Sequence, residues 1–183
     1  MDCLTLVLLV ILIVICLTKL FLAYLGIEDI RVDASSPVEL ESKDENSLVL
    51  SKKLRFYNEG KQCATIMDAI CRSQLPYEQY DGIEVRPKAE REGEVREDDY
   101  FEAVIIQKKG YKGGEDSLNI FAKIKLTPRK GMSLEEALSH MVDLPVDFIW
   151  QETGRTVQHY KKLRIEITAD EIAKLAGVQL VKD

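Results

Sequence analysis

The stretch "LNIFAKIKLT", residues 118–127, alternates apolar and polar side chains with a period of two. The apolar members of this alternation are Leu118, Ile120, Ala122, Ile124 and Leu126. Successive side chains of a β-strand point to opposite faces, so this spacing places all five on one face. The stretch therefore predicts a strand with one face against a hydrophobic core and the other towards solvent.

Similar apolar patterns recur on both sides of this stretch. They are "LVLSKKLRFY" (48–57), "QCATIMDAICR" (62–72), "IEVR" (83–86), "YFEAVIIQ" (100–107), "VDFIW" (146–150) and "HYKKLRIEIT" (159–168). Asp68 is the exception in the second of them, because a period of two puts it on the same face as Ala64, Ile66 and Ile70. "NEGK" (58–61) is a turn signal in which Gly60 can take a positive φ, and "KKGYKGGED" (108–116) predicts a long hairpin loop.

Two short helices are predicted late in the chain. "SLEEALSHMV" (133–142) opens with a capping box from Ser133 to Glu136, and "TADEIAKLAG" (168–177) opens with one from Thr168 to Glu171. Gly177 predicts the end of the second helix. Seven or eight short strands that do not alternate with long helices favour an all-β fold. We expect an antiparallel β-sandwich, Ig-like or a near variant, over residues 37–183.

The antibody-type order of cysteine, tryptophan and cysteine is absent, because Trp150 follows both Cys63 and Cys71. These two cysteines are eight residues apart, so they can pair only if the chain folds back between them. Free thiols are the expectation.

Residues 4–27 carry a single charge, Lys19, in 24 residues. A helix of that length is about 36 Å long, which exceeds the ~30 Å hydrocarbon core of a bilayer. No basic segment precedes the apolar run and no small-residue cleavage pattern comes after it, so an uncleaved single-pass transmembrane anchor is favoured over a signal peptide. Residues 28–36 are predicted to be a linker or an entering strand. Near the helix end Lys19 is expected to snorkel, the alternative being contact with another membrane subunit.

The orientation in the membrane rests on two opposed indications. Lys19 and Arg31 are the basic residues close to the span, and this marginal count favours a cytoplasmic domain. A single anchor with a very short leading tail commonly exports the domain on its C-terminal side. We expect a protein of the cell membrane whose β domain is extracytoplasmic.

The net charge of −6 argues against a nucleic-acid-binding surface and disfavours flat adhesion to an anionic bilayer. His140 and His159 are the only histidines, and no zinc-ligand spacing occurs. A nucleophilic dyad would need Cys63 or Cys71 beside one of these histidines. Neither a catalytic site nor a cofactor or metal is therefore predicted, although an enzyme with an unrecognised Cys/His site remains an alternative.

The acidic stretch "EREGEVREDDYFEA" (90–103) raises the question of calcium. Asp98 and Asp99 together with Asp81 are conceivable ligands. No regular calcium-binding loop is present and arginines are interleaved, so a solvated charged surface is favoured.

The candidate binding residues are Tyr77, Glu78, Tyr80 and Asp81, in "RSQLPYEQYDGIEV" (72–85). Exposed tyrosines and an acid in this motif would suit a peptide or a glycan. The structural alternative is a corner between two strands, in which buried tyrosine rings donate hydrogen bonds through their hydroxyls. Strands are predicted on both sides of the motif, and this favours the corner.

An N-terminal anchor followed by one polar sandwich resembles the membrane-tethered Ig-like accessory domains of bacterial envelopes. In addition, "LRFYNEGKQCATI" (54–66) is similar to a strand–N-x-G–strand hairpin of the water-stress, late-embryogenesis-abundant type. The resemblance implies a non-enzymatic interaction or accessory module with a protein partner in the envelope. A subunit of a larger membrane complex is the other alternative.

Overall fold

The computed structural model describes residues 3–94 and 100–181, and the fold within them is mainly antiparallel β. Helix α1 spans Cys3–Leu25, α2 spans Leu134–Ser139 and α3 spans Ala169–Ala176. The strands are β1 (Ile30–Asp33), β2 (Val38–Lys43), β3 (Leu48–Asn58), β4 (Ala64–Ser73), β5 (Ile83–Arg91), β6 (Tyr100–Ile106), β7 (Ser117–Pro128), β8 (Leu144–Thr153) and β9 (His159–Ile167).

The strands form two sheets. The five-stranded sheet has the order β1-β3-β7-β5, with β2 paired to the same side of β3 as β1, and the four-stranded sheet has the order β6-β4-β8-β9. The predicted strand at residues 118–127 is confirmed as β7, between β3 and β5. Its side chains Ile120, Ala122, Ile124 and Leu126 are fully buried, because neighbouring strands cover both edges and the core covers the face.

The two sheets share one hydrophobic core. At its centre the ring of Phe56 on β3 lies 5.2 Å from the ring of Trp150 and 5.7 Å from that of Phe148, both on β8. Such tilted and edge-to-face aromatic pairs contribute about 0.5–1.5 kcal/mol each beyond the burial of their area. This aromatic cluster therefore ties the five-stranded sheet to the four-stranded sheet.

The hairpin implied by the resemblance at residues 54–66 and the hairpin predicted around residues 108–116 are wrong, because each connection passes from one sheet to the other. The first joins β3 of the five-stranded sheet to β4 of the four-stranded sheet, and the second joins β6 to β7. An alternating pattern indicates which face of a strand is buried but not which strand it pairs with. Gly60 does not have a positive φ either. It is required because a Cβ there would lie 2.4 Å from the backbone nitrogen of Asp29.

A β-bulge explains the misplaced acid at Asp68. The pairing of β4 with β8 shifts register between Met67 and Ile70, and Asp68 has a φ of 48°. The extra residue changes which side chains point inwards, so that Ala69 and Cys71 continue the buried face while Asp68 is exposed. The predicted grouping of Asp68 with the buried face is therefore wrong.

Strand β5 extends to Arg91, well past the predicted segment 83–86. It includes Pro87, which is tolerated because β5 lies at the edge of its sheet and one side of its backbone needs no partner. Within residues 28–36, Ile30–Asp33 forms β1 and pairs with β3, so the β-rich part of the chain begins before residue 37.

The caps of both short helices have a clear structural basis. The Oγ of Ser133 accepts a hydrogen bond from the backbone N–H of Glu136, and Thr168 and Glu171 form a reciprocal capping box. Gly177 ends α3 with a φ of 71°, as predicted.

Helix α1 is long and apolar enough to cross a membrane, and none of its side chains is buried. An N-terminal signal sequence can also be long and apolar enough to meet this criterion. The helix ends at Leu25 and not at residue 27, because Gly26 takes a φ of 70° and donates its N–H to the carbonyl of Leu22.

Candidate functional site

The motif that carries the candidate binding residues connects β4 to β5, and so passes from one sheet to the other. This connection, residues 74–82, is called the distal corner, because it lies at the end of β4 opposite to α1. The hydroxyl of Tyr80 donates a hydrogen bond of 2.6 Å to the carbonyl of Ala137 in α2. Gly82 allows this packing, since a Cβ there would lie 2.4 Å from the hydroxyl oxygen of Tyr80. Burial, helped by the charges of Asp81 and Glu136, raises the pKa of Tyr80.

Tyr77 differs from Tyr80, because 63% of its surface is exposed. The guanidinium of Arg129 lies 5.0 Å from the centre of its ring and donates a hydrogen bond of 2.6 Å to its hydroxyl oxygen. This hydrogen bond is also the main reason that the pKa of Arg129 is raised. Tyr77 is thus a solvent-exposed ring that one arginine holds in a fixed position.

Charged groups surround these tyrosines. Asp81 forms an ion pair of 2.6 Å with Lys130, whose hydrogen bond lowers the pKa of the aspartate, whereas Glu78 is exposed. Arg129 also approaches Glu84 at 3.8 Å. The distal corner borders a cleft of about 210 Å³. The residues that line this cleft are Ser73, Leu75, Tyr77, Tyr80, Ile83, Glu84, Val85 and Arg129.

The structure thus brings Tyr77 and Tyr80 to one cleft, together with two residues that were not among the predicted candidates. Glu84 and Arg129 come to this cleft because β5 pairs with the end of β7, with Ile83 opposite Pro128. Pairing between strands so far apart in the chain has no local signal in the sequence. The assignment of the four candidate residues to a binding site stays a prediction.

The opposite end of the β domain contains a buried carboxylate that the sequence also did not indicate. Glu28, just after α1, accepts hydrogen bonds from the backbone N–H groups of Arg155 at 2.9 Å and Thr156 at 2.8 Å, and from the hydroxyl of Thr156. Desolvation disfavours its charge, but these donors outweigh desolvation and lower the pKa of Glu28 to about 2. The start of the β domain is thereby fixed to the β8–β9 connection.

Asn58 organises the β3–β4 connection at this same end. Its side-chain oxygen accepts the N–H groups of Asp29 and Gly60, and its side-chain nitrogen donates to the carbonyl of Gln62 at 2.7 Å. The Nε2 of Gln62 in turn donates to the carbonyl of Leu25, the last residue of α1, at 2.8 Å. Hydrogen bonds therefore run without interruption from the end of α1 to the first connection between the sheets.

A polar network covers part of the outer face of the four-stranded sheet. Gln151 donates to Asp68 at the bulge and to the hydroxyl of Tyr160, and it accepts from Gln158. The exposed ring of Tyr160 makes this face a second surface to compare with the distal corner.

One of the two candidate nucleophilic cysteines lies in an environment that opposes this role. All four cysteines are free, and Cys71 is buried in β4, where desolvation raises the pKa of its thiol to about 12. A thiolate is the reactive form, so this environment opposes a nucleophilic role for Cys71. Cys63 and both histidines are exposed.

Over residues 3–94 and 100–181, no group of three or more histidines, cysteines or carboxylates is arranged to hold a metal ion. Of the conceivable calcium ligands, Asp98 and Asp99 lie outside the described residues, and Asp81 pairs with Lys130.

No protein-family model matches this chain, and no curated protein sequence matches it. Among the solved structures that are distantly similar are two GAE domains. The GAE domain of yeast GGA1 is 11% identical, with 75% of this chain and 90% of that one covered and a TM-score of 0.37. The GAE domain of GGA2p from Saccharomyces cerevisiae is 8% identical, with 73% and 99% covered and a TM-score of 0.30. Similarity at this level assigns no function.

Proposed function

We propose that this chain is a single-pass, membrane-anchored, Ig-like β-sandwich that acts as a non-enzymatic interaction or accessory module of the cell envelope. In this proposal α1 is the uncleaved anchor and the β domain lies outside the cytoplasm. The domain presents its distal corner to a protein partner.

The strand order supports the Ig-like assignment. Strands β2, β3, β7 and β5 follow each other in their sheet as A, B, E and D do in an immunoglobulin domain, and β4, β8 and β9 follow the order C, F and G. In antibody domains a disulfide joins strands B and F across the two sheets. Here Phe56 on β3 meets Phe148 and Trp150 on β8 in the corresponding place. Strand β6 departs from the immunoglobulin order, because it pairs with β4 although it follows β5 in the chain.

The observation that carries the interaction role is the exposed Tyr77 ring under Arg129. Tyrosine and arginine are enriched among the residues that contribute most to protein–protein binding. A ring already held by an arginine loses little conformational freedom on binding, which favours its use as an anchor. The adjacent cleft has apolar walls from Leu75, Ile83 and Val85, and it would accept one side chain of a partner.

The test is site-specific capture from native membranes. The full chain, carrying a tag, is cross-linked in cells and compared with Tyr77→Ser and with Tyr160→Ser as a matched control. Tyr160 is 72% exposed on the outer face of the four-stranded sheet, so both variants remove one exposed ring. We expect one partner to disappear with Tyr77→Ser alone. Loss with Tyr160→Ser alone would move the interface to the sheet face, and capture equal in all three would refute the distal corner.

The topology has a separate test. Protease added to intact cells should digest the β domain if it lies outside the cytoplasm, and an antibody to the C-terminal end reports the cleavage. Protection of the domain in intact cells, with digestion after the cells are opened, would contradict the extracytoplasmic orientation.

A further inference from the structure

The C-terminal end of α1 lies beside an open cleft of about 560 Å³ that the β domain completes. Tyr24 and Leu25 of α1 line it together with Lys61, Lys108 and Lys109, and Glu59, Gly60 and Gln62 complete the lining. These eight residues define what we call the basal cleft. The three lysines come from the β3–β4 and β6–β7 connections, which the fold brings together beside the end of the helix.

The depth of this cleft can be derived if α1 spans the membrane, as the proposed function has it. A helix of 23 residues is about 35 Å long, slightly more than the ~30 Å hydrocarbon core, so the residues at its ends lie among the headgroups. Tyr24, one residue before the end, is 77% exposed, and tyrosine rings at membrane-span ends prefer the headgroup level. Lysines that share a cleft with Tyr24 therefore lie at the level of the phosphates.

The position of Lys61 is fixed by contacts with the segment directly after α1. Its backbone N–H donates to the carbonyl of Ile27 at 2.9 Å. Its side chain packs so closely on Gly26 that a Cβ at Gly26 would lie 2.9 Å from Cδ of the lysine. Since Gly26 is the first residue after the helix, Lys61 cannot move away from the membrane surface without disrupting this contact.

The charge of the basal cleft is opposite in sign to that of the chain. The lining contains three lysines and one glutamate, Glu59, for a net charge of +2, while the whole chain has −6. Glu59 is already paired with Lys109 at 2.6 Å. Among the other nearby carboxylates, Glu28 binds the backbone of residues 155 and 156, and Asp29 pairs with Arg31 at 3.0 Å. Asp116, whose charge also acts on Lys109, accepts the N–H of Gly110 at 3.0 Å. Lys61 and Lys108 are exposed, and the Nζ of Lys108 lies 6.0 Å from the centre of the Tyr111 ring.

We propose that the basal cleft binds the phosphate groups of anionic phospholipids in the leaflet where α1 leaves the membrane. Lysine side chains close to a lipid surface are attracted by its negative potential. Contacts on one side of the helix axis would hold the β domain in one orientation to the membrane and direct the distal corner away from it. The inference rests on the proposed membrane anchor. The net charge of −6 disfavours adhesion of the surface as a whole to an anionic bilayer, whereas this inference concerns only the basal cleft.

The experiment uses the full chain reconstituted in two kinds of vesicle, phosphatidylcholine alone and phosphatidylcholine with about one third phosphatidylglycerol. Resistance to alkaline extraction reports whether α1 is inserted. Amide hydrogen exchange in residues 59–62 and 108–113 then reports headgroup contact. We expect exchange about fivefold slower in the anionic vesicles, as about one lysine–headgroup contact would produce, and about 0.5 M salt should remove the difference.

Two double variants with equal charge change complete the design. Lys61→Gln with Lys108→Gln should abolish the difference between the vesicles. Lys125→Gln with Lys174→Gln should preserve it, because these exposed lysines lie on β7 and α3 towards the distal end.

The outcomes separate the two proposals. If the chain is inserted but its amides exchange equally in both vesicles, the lipid-binding inference is wrong and the membrane anchor is unaffected. The same holds if the Lys125→Gln, Lys174→Gln variant loses the exchange difference between the vesicles. A chain that alkali extracts from both vesicles refutes the membrane anchor, and the inference with it.

Discussion

The two ends of the β domain each contain a connection between the sheets, and they are stabilised in different ways. At the end next to α1, the buried side chains of Glu28 and Asn58 accept hydrogen bonds from backbone N–H groups. At the distal corner, Tyr77 and Tyr80 lie at or near the surface, and their hydroxyls have one partner each among the hydrogen bonds described. Buried polar groups that lose a partner cost more than exposed ones, because water cannot replace the lost partner. We therefore expect the loss of one polar side chain to cost more stability at the end next to α1 than at the distal corner.

The largest effect is expected from Glu28→Ala. This change leaves the N–H groups of Arg155 and Thr156 without their acceptor, and we expect the free energy of unfolding to fall by about 3 kcal/mol. Urea unfolding of the full chain in detergent measures it. Glu39→Ala, at an exposed position on β2, is the control and should change stability by less than about 0.5 kcal/mol. Equal effects of the two variants would contradict the role of Glu28.

The contribution of Glu28 to stability should depend on pH. Because the pKa of Glu28 is lowered from 4.5 to about 2, its contribution is fully present above pH 4.5 and is lost as the pH falls towards 2. The shift corresponds to about 3 kcal/mol. We expect the difference in unfolding free energy between the wild type and Glu28→Gln to shrink steadily over this interval, as measured by urea unfolding at each pH. If this difference in unfolding free energy stays constant with pH, the charge of the Glu28 carboxylate does not account for its stabilising effect.

A smaller effect is expected from Tyr80→Phe at the distal corner. The ring and its packing remain, but the carbonyl of Ala137 loses its hydrogen bond from the hydroxyl, and the free energy of unfolding should fall by about 1 kcal/mol. The measurement is the urea midpoint at constant slope. A loss as large as that of Glu28→Ala would remove the contrast between the two ends.

The smallest effect on stability is expected from Tyr77→Phe. The hydroxyl is exposed and its bond to Arg129 competes with water, so the change should be below about 0.5 kcal/mol. Thermal unfolding in detergent checks this prediction. If the loss exceeds about 1 kcal/mol, Tyr77 has a structural role, and its use as a binding residue loses support.

The alternating strands could be predicted because each depends on local spacing. Residues 118–127 became β7 and residues 48–57 became most of β3, since a period of two is the only arrangement that buries every second side chain. In the sequence, the bulge at Asp68 showed only as a charged residue on the apolar face of a strand with a period of two. The short strands β1 and β2 give a weaker pattern, because most of their side chains are exposed.

The candidate site was predicted in part. Tyr77 and Tyr80 do lie in a connection between two strands and at one cleft, but one is exposed and the other half-buried. The local motif is compatible with either environment for each ring. Which of them is covered depends on α2, whose Ala137 is 57 residues beyond Tyr80 in the chain.

The apolar N-terminal helix, the mainly β character of the rest and the caps of the two short helices could all be predicted from the amino-acid sequence. Each of these depends on the polarity and spacing of neighbouring residues. The sequence did not show that the connections at residues 58–61 and 108–116 pass between the sheets, or that Lys61, Lys108 and Lys109 meet Tyr24 in the basal cleft. These features depend on strand pairing between distant segments, and the alternation within one strand contains no information about its partner.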